Sequence, residues 1–212
     1  MINKKLKKLL SQTHKPRYAI FKGLARIIAP AAYRELYQAD RPSICYVKDM
    51  NGKAPLVGVE IGVYKGDNAA RMLKMLNIKK LYLIDPYEPF LQNGVLQENC
   101  NVERKEDAYR LLKKYGNKVE FIYKRSEDAV GLIPEVDFVY IDANHDYDHV
   151  KRDITNYYPK VKPKGVLGGH DFSMGDLSVG NGNLGVIKAV TEFAISNRLE
   201  LIVDKVDWWI RK

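Results

Sequence analysis

The sequence predicts an α/β fold: a seven-stranded, mostly parallel sheet with helices on both faces, a C-terminal antiparallel hairpin and an N-terminal helical extension. Three observations predict it. Short runs rich in Val, Ile and Leu alternate with stretches whose apolar residues recur at helical spacing, the pattern of strand–helix–strand units. Several of those runs end in an acidic residue, as at Asp85, Asp142 and Asp171. The last two runs, 200–203 and 208–211, are separated only by residues 204–207, too few for a crossover helix, so they pair as a hairpin.

The chain of 212 residues suffices for one such domain, assigned to residues 54–212, behind a helical cap and linker at 1–53. Residues 1 to about 37 read as amphipathic helix. Leu6, Leu9, Leu10, Ile20, Leu24, Ile27 and Ile28 stand among lysines and arginines, and Pro16 and Pro30 divide it. Met1 to Arg26 carries eight basic residues and no acid, a large share of the net charge of +9. Such a charge suits an acidic partner without naming one. The apolar faces are broad enough to require a partner surface, so this segment is expected to pack on the catalytic domain or in a homo-oligomer. Peripheral membrane contact through residues 1–30 is the alternative. Residues 39–53, with Pro42 and Asn51-Gly52, read as linker.

No apolar run reaches the length of a membrane span, and the first residues lack a signal-peptide core. Cys45 and Cys100 have neither metal nor redox spacing, so the expected location is cytoplasmic.

Leu56-Val-Gly-Val-Glu60-Ile-Gly62-Val-Tyr-Lys-Gly66 reads as a buried strand running into a glycine turn, followed by helix from Asn68. Glycine there permits unusual φ/ψ and close approach of a ligand, and the helix N-terminus adds free N–H groups. The glycines fall at 58, 62 and 66, which is not the G-x-G-x-x-G of a dinucleotide site. The second strand, Lys80 to Asp85, ends in a carboxylate able to accept both hydroxyls of an adenosine ribose. Pro86 to Glu103 reads as a long, partly polar connection, of a length that usually serves a site. A helix over 108–115 stops at Gly116-Asn117, and the third strand is Val119 to Tyr123. Ser126 is then expected to N-cap the next helix. Val136 to Asp142 and Lys164 to Asp171 are buried strands whose ends carry Asp142, His145, His170 and Asp171. Parallel strands release such residues into one crevice, together with Glu60 and Asp85. The glycine-rich stretch 172–185 is expected to be a lid, and 185–197 a helix.

The turn from Glu60 to Gly66 resembles motif I of class I S-adenosylmethionine-dependent methyltransferases, whose sheet is Rossmann-like. The resemblance implies S-adenosylmethionine at Glu60, Gly62, Gly66, Asp85 and Asp142, with its adenine at the Ser126–Glu127 turn. A carboxylate in the turn suits a cofactor that carries a sulfonium and an ammonium and no phosphate. Further on, Ile141-Asp-Ala-Asn-His-Asp-Tyr147 with Gly168-Gly-His-Asp-Phe172 is similar to the metal-dependent O-methyltransferases that modify macrolide sugars (the macrocin type) and to catechol-type enzymes. That implies a divalent cation at Asp142, His170 and Asp171. The family usually has Asp or Glu where His170 stands. Two carboxylates with waters suit Mg²⁺, whereas an imidazole shifts preference toward Mn²⁺ and other transition ions. His145 stands where these enzymes place a general base, and imidazole titrates in the right range.

The function expected is therefore cation-dependent O-methylation of a hydroxyl on a small molecule or sugar. A nicotinamide-dependent oxidoreductase is disfavoured by Glu60 and the glycine spacing. The basic N-terminus would suit a nucleic-acid methyltransferase. Residues 141–144, Ile-Asp-Ala-Asn, lack the Pro-Pro-aromatic core of the amino-directed kind, so a nucleic-acid partner is not expected.

Overall fold

The computed structural model describes residues 41–98, 101–174 and 183–212. The expected basic N-terminal helix and the centre of the expected lid lie outside the described residues. The chain divides into two compact units, Met1–Arg41 and Pro42–Lys212, and the fold below is that of the second.

In chain order its elements are α1 (Pro42–Asn51), β1 (Leu56–Ile61), α2 (Asp67–Met75), β2 (Ile78–Ile84), β3 (Phe90–Gln92), β4 (Val95–Gln97), α3 (Val102–Leu112), β5 (Val119–Ile122), α4 (Ser126–Ala129), β6 (Val136–Ile141), α5 (Tyr147–Tyr157), β7 (Val161–Gly169), α6 (Leu184–Asn197), β8 (Leu201–Asp204) and β9 (Asp207–Arg211). The seven runs expected as strands form one sheet in the order β5-β2-β1-β6-β7-β9-β8. The first five pair in parallel, and β9 runs antiparallel to both β7 and β8. The chain leaves β1 toward β2 and β5, then returns to β6 on the other side. The topological switch point thus lies between β1 and β6, where open α/β sheets bind ligands beyond the carboxyl ends of the strands.

Both faces of the sheet are covered, which is why β1 and β6 are apolar along almost their whole length. One core joins Ile44 and Val47 of α1, Met72 of α2 and Leu112 of α3 to Leu81, Leu83, Phe138, Tyr140 and Trp209. The other joins Val150, Ile154 and Tyr157 of α5 and Val190 of α6 to Val59, Ile84, Val139, Ile141 and Trp208. The period-two alternation sends adjacent residues such as Trp208 and Trp209 to opposite cores.

Three local readings change. Residues 42–51, read as linker, are helix α1, and its Ile44 and Val47 are buried. A single apolar pair is too short a helical signal, although Pro42 suits the first position of a helix. The connection after β2 contains the hairpin β3–β4, turned by Asn93 and Gly94 at φ 51° and 74°. That Asn-Gly pair is the usual signature of such a turn, masked here because three-residue strands show no clear alternation. Helix α3 begins at Val102, well before residue 108, because Asn101 caps it by accepting the Arg104 N–H at 3.3 Å. Its first turns are Glu103 to Asp107, all charged, and carry no apolar stripe.

Candidate active site

The strand ends lie side by side. The N–H of Gly62 donates to Ile84, that of Asp142 to Ile61 and that of His170 to Ile141, at 2.9, 2.8 and 3.0 Å. Residues just past β2, β1, β6 and β7 are thereby fixed in one row. Gly62 has φ 86°, and a Cβ there would stand 2.1 Å from the Asp142 carbonyl oxygen. Gly66, at φ 80°, is the N-cap of α2, and its Cβ would meet Leu112 at 2.8 Å. The crowding at both glycines comes from the protein itself: the turn is pressed between the end of β6 and helix α3.

Asp85 holds that turn. Its Oδ2 accepts the N–H groups of Val63 and Tyr64 at 3.0 and 2.9 Å, and its Oδ1 accepts that of Tyr87 at 2.8 Å. The carboxylate expected to face a ribose is thus 4% exposed and already organises three backbone donors. Glu60 is equally buried, and its Oε1 accepts from Asn68 at 2.8 Å, tying β1 to the first turn of α2.

At the ends of β6 and β7 the acids and imidazoles converge. One ligand atom each from Asp142, His170 and Asp171 lies within 4.8 Å of the others, the spacing of a set that can hold a metal ion. His170 Nδ1 is 3.0 Å from Asp171 Oδ2 and 4.0 Å from Asp142 Oδ1. His145 Nε2 reaches the same Asp171 Oδ2 at 3.1 Å. All four side chains are part-exposed, and Asp142, His145 and His170 line one cavity with Asn144 and Trp208. Burial alone would lower the pKa of His145. The hydrogen bond and charge of Asp171, the charge of Asp142 and the Asn183 amide outweigh it, so the pKa is raised above its ordinary value.

The loop that carries His145 is held from the hairpin. Gln92 accepts the His145 backbone N–H at 3.2 Å and places its Nε2 3.3 Å from His145 Nδ1. Asn144 donates to the Leu91 carbonyl, and the Asn93 N–H donates to Asp146, both at 2.8 Å. Asn183, just ahead of α6, places its Oδ1 3.1 Å from His145 Nδ1 and donates to Asp171 at 3.0 Å.

The expected N-cap at Ser126 is corrected: Arg125 occupies that position, without a side-chain cap, and Ser126 is the first helical residue. The Ser126 hydroxyl turns instead to Asp153 of α5 and to Glu127. Burial pushes the Glu127 carboxyl up, but its own backbone N–H, Arg152, Ser126 and Arg125 leave it below the ordinary range. Asp153 lies deeper, and burial raises its pKa to about 6 against the hydrogen bond from Ser126.

A methyltransferase-domain family model matches residues 59–172, from within β1 through the His170–Asp171 pair. The chain belongs to this class I methyltransferase family. The oxidoreductase alternative falls with that match, and S-adenosylmethionine is the cofactor expected of the family. Solved structures similar to this methyltransferase include the O-methyltransferase NovP, 18% identical, with 80% of this chain and 78% of that one covered at a TM-score of 0.56. The precorrin-6y C5,15-methyltransferase of Geobacter metallireducens is 12% identical over 79% and 85% of the two chains, at 0.56. An rRNA methylase of Streptococcus thermophilus is 14% identical over 81% and 95%, at 0.55. Identities this low establish a shared fold. No curated protein sequence matches the chain.

Reading the sequence of this methyltransferase misses Gln92, Asn183 and Asp207. Asp207 is fully buried, accepts from the Ser43 hydroxyl at 2.6 Å and from Tyr140 at 3.3 Å, and stands 4.0 Å from His170 Nε2. Nothing in the order of residues marks these three, because each acquires its partner only when distant segments meet. Among the described residues no helix is long and apolar enough to cross a membrane.

Proposed function

We propose that the protein is an S-adenosylmethionine-dependent, divalent-cation-dependent O-methyltransferase that acts on a hydroxyl of a small molecule or sugar. The observation that carries this is the Asp142–His170–Asp171 cluster with His145 against it, at the carboxyl ends of β6 and β7 beside the switch point. Two carboxylates and one imidazole within reach of a common centre fit Mg²⁺, with Mn²⁺ favoured by the nitrogen. Glu60, Asp85, Asp142 and Asp171 also concentrate negative charge at neighbouring strand ends, which fits a cofactor bearing a sulfonium and an ammonium.

When bound, the cofactor supplies an electrophilic methyl group, and the cation acidifies a hydroxyl placed against it. Asp142 and Asp171 would hold the cation through carboxylate oxygens, with His170 as the third side chain of the set. Glu60, Gly62, Gly66 and Asp85 would form the cofactor turn, and Ser126 and Glu127 would stand on the adenine side. His145 takes the proton of the acceptor hydroxyl, a contribution of about 10²–10⁴-fold in rate.

Titration calorimetry with S-adenosylhomocysteine and electron paramagnetic resonance with Mn²⁺ test the two sites. Methyl transfer from labelled S-adenosylmethionine to a panel of hydroxylated metabolites and sugars tests the reaction. Asp142→Ala is expected to abolish Mn²⁺ binding and transfer together, while His145→Ala keeps Mn²⁺ and loses rate. Full transfer in excess EDTA would refute the role of the cation.

A further inference from the structure

We propose that Asp153, buried on helix α5, makes the Ser126–Glu127 turn selective for a purine that carries an amino group. It takes the Ser126 hydroxyl hydrogen and leaves that oxygen able only to accept. The inference rests on the reading that places the adenine of the cofactor at this turn.

Asp153 is a buried acid that neither the cation cluster nor the turn after β1 uses. It is 3% exposed, and burial raises its pKa to about 6, so at neutral pH the fold carries its charge at a cost. An apolar side chain of similar volume would avoid that cost, so stability does not explain the carboxylate. What the carboxylate holds is the Ser126 hydroxyl. Its neighbours on α5 serve the same turn. Tyr157, one helical turn on, donates its hydroxyl to the Ser126 carbonyl at 2.8 Å, and Arg152 Nη2 lies 3.4 Å from Glu127 Oε1.

A serine hydroxyl has a single hydrogen to give and two lone pairs. The side-chain oxygens against Ser126 Oγ are Asp153 Oδ1 and, at 3.3 Å, Glu127 Oε2. Both belong to carboxylates, which accept and do not donate once ionised. Whichever takes the hydrogen, none is left for a ligand, and Asp153 is the nearer. Ser126 is part-exposed where Asp153 is not, so it meets a ligand with lone pairs alone. Glu127 beside it offers only acceptors as well. The amino group of adenine donates to such a turn. The oxo group of a 6-oxopurine would set lone pairs against lone pairs and leave them unpaired. Asp153 touches no ligand atom: it is a positioning residue that acts through Ser126.

The test is a ratio of affinities. Calorimetry on the full chain, at about pH 8 and so above the pKa of Asp153, compares S-adenosylhomocysteine with S-inosylhomocysteine, in which an oxo group replaces the purine amino group. The wild type is expected to bind the amino form at least about tenfold more tightly, the order of one hydrogen bond. Asp153→Ala frees the Ser126 hydrogen to turn toward the oxo group, so the ratio is expected to fall several-fold, as it should in Ser126→Ala. Asp153→Leu, which fills the space without an acceptor, is the second variant should Asp153→Ala fail to fold. The double variant Ser126→Ala with Asp153→Ala should match Ser126→Ala alone, because Asp153 acts through that hydroxyl. A residue that only supports the fold would weaken both ligands equally and leave the ratio where it was. An unchanged ratio in the folded Asp153 variants, a further fall in the double variant, or equal binding of the two ligands by the wild type overturns the proposal. The two readings fail differently. A wild type that binds neither ligand sinks the cofactor site and this proposal together, whereas one that binds S-adenosylhomocysteine with a ratio unmoved by the Asp153 variants sinks this proposal and leaves the cofactor site standing.

Discussion

Replacing Asp85 by Ala should unfold much of the turn between β1 and α2 as well as weaken cofactor binding. The side chain accepts three backbone N–H groups, from Val63, Tyr64 and Tyr87. Val63 and Tyr87 are 4% and 5% exposed, so water does not reach their orphaned donors readily, whereas Tyr64 is 40% exposed and its amide can rehydrate. Each buried donor left unpaired costs about 1–3 kcal/mol. Two such donors give a loss of about 2–6 kcal/mol, a large part of the 5–15 kcal/mol that typically holds a domain. Asp85→Asn is the gentler probe. Its oxygen can keep Val63 and Tyr64, but its NH₂ then faces the Tyr87 N–H, and the loss should be near one donor, about 1–3 kcal/mol. Urea denaturation followed by Trp fluorescence measures both, since Trp208 and Trp209 lie in the two cores. S-adenosylhomocysteine calorimetry on folded Asp85→Asn then isolates whatever the carboxylate adds at the ribose. An Asp85→Ala protein with the wild-type urea midpoint would refute the reasoning.

Two further substitutions follow from buried acids. Asp153 has its pKa raised by burial to about 6, from an ordinary 3.8, so between those values only the folded state holds the proton and stability falls as pH rises. The full penalty stands above pH 6 and has a ceiling of about 3 kcal/mol. Asp153→Asn, which can still accept from Ser126, should remove that slope; equal pH dependence of the two proteins in urea between about pH 4 and pH 7 would contradict it. Asp207→Ala takes a fully buried acceptor from three donors, the Ser43 N–H and hydroxyl and the Tyr140 hydroxyl, and should cost about 1–3 kcal/mol for each of them that stays buried. An unchanged thermal midpoint would count against it.

What the sequence determined by itself is the sheet and its chemical edge. Short apolar runs such as 56–61 and 136–141 specify buried strands, and a parallel strand's C-terminal residue faces the crevice whichever neighbours it acquires. Asp142, His170 and Asp171 were therefore legible as one cluster, and Asp85 and Glu60 as strand-end acids. Their partners were not legible. Asp85 bonds across about twenty residues, Gln92 across 53 to His145, and Asp207 across 164 to Ser43. Short elements such as α1 and the β3–β4 hairpin escaped for a related reason. They are too brief to carry a periodic signal and are stabilised by what they pack against. A carboxylate at a strand end looks the same in sequence whether it meets a ligand or three backbone amides. Only the tertiary structure decides, because a hydrogen bond needs its two atoms within about 3 Å and the chain brings them there only by folding.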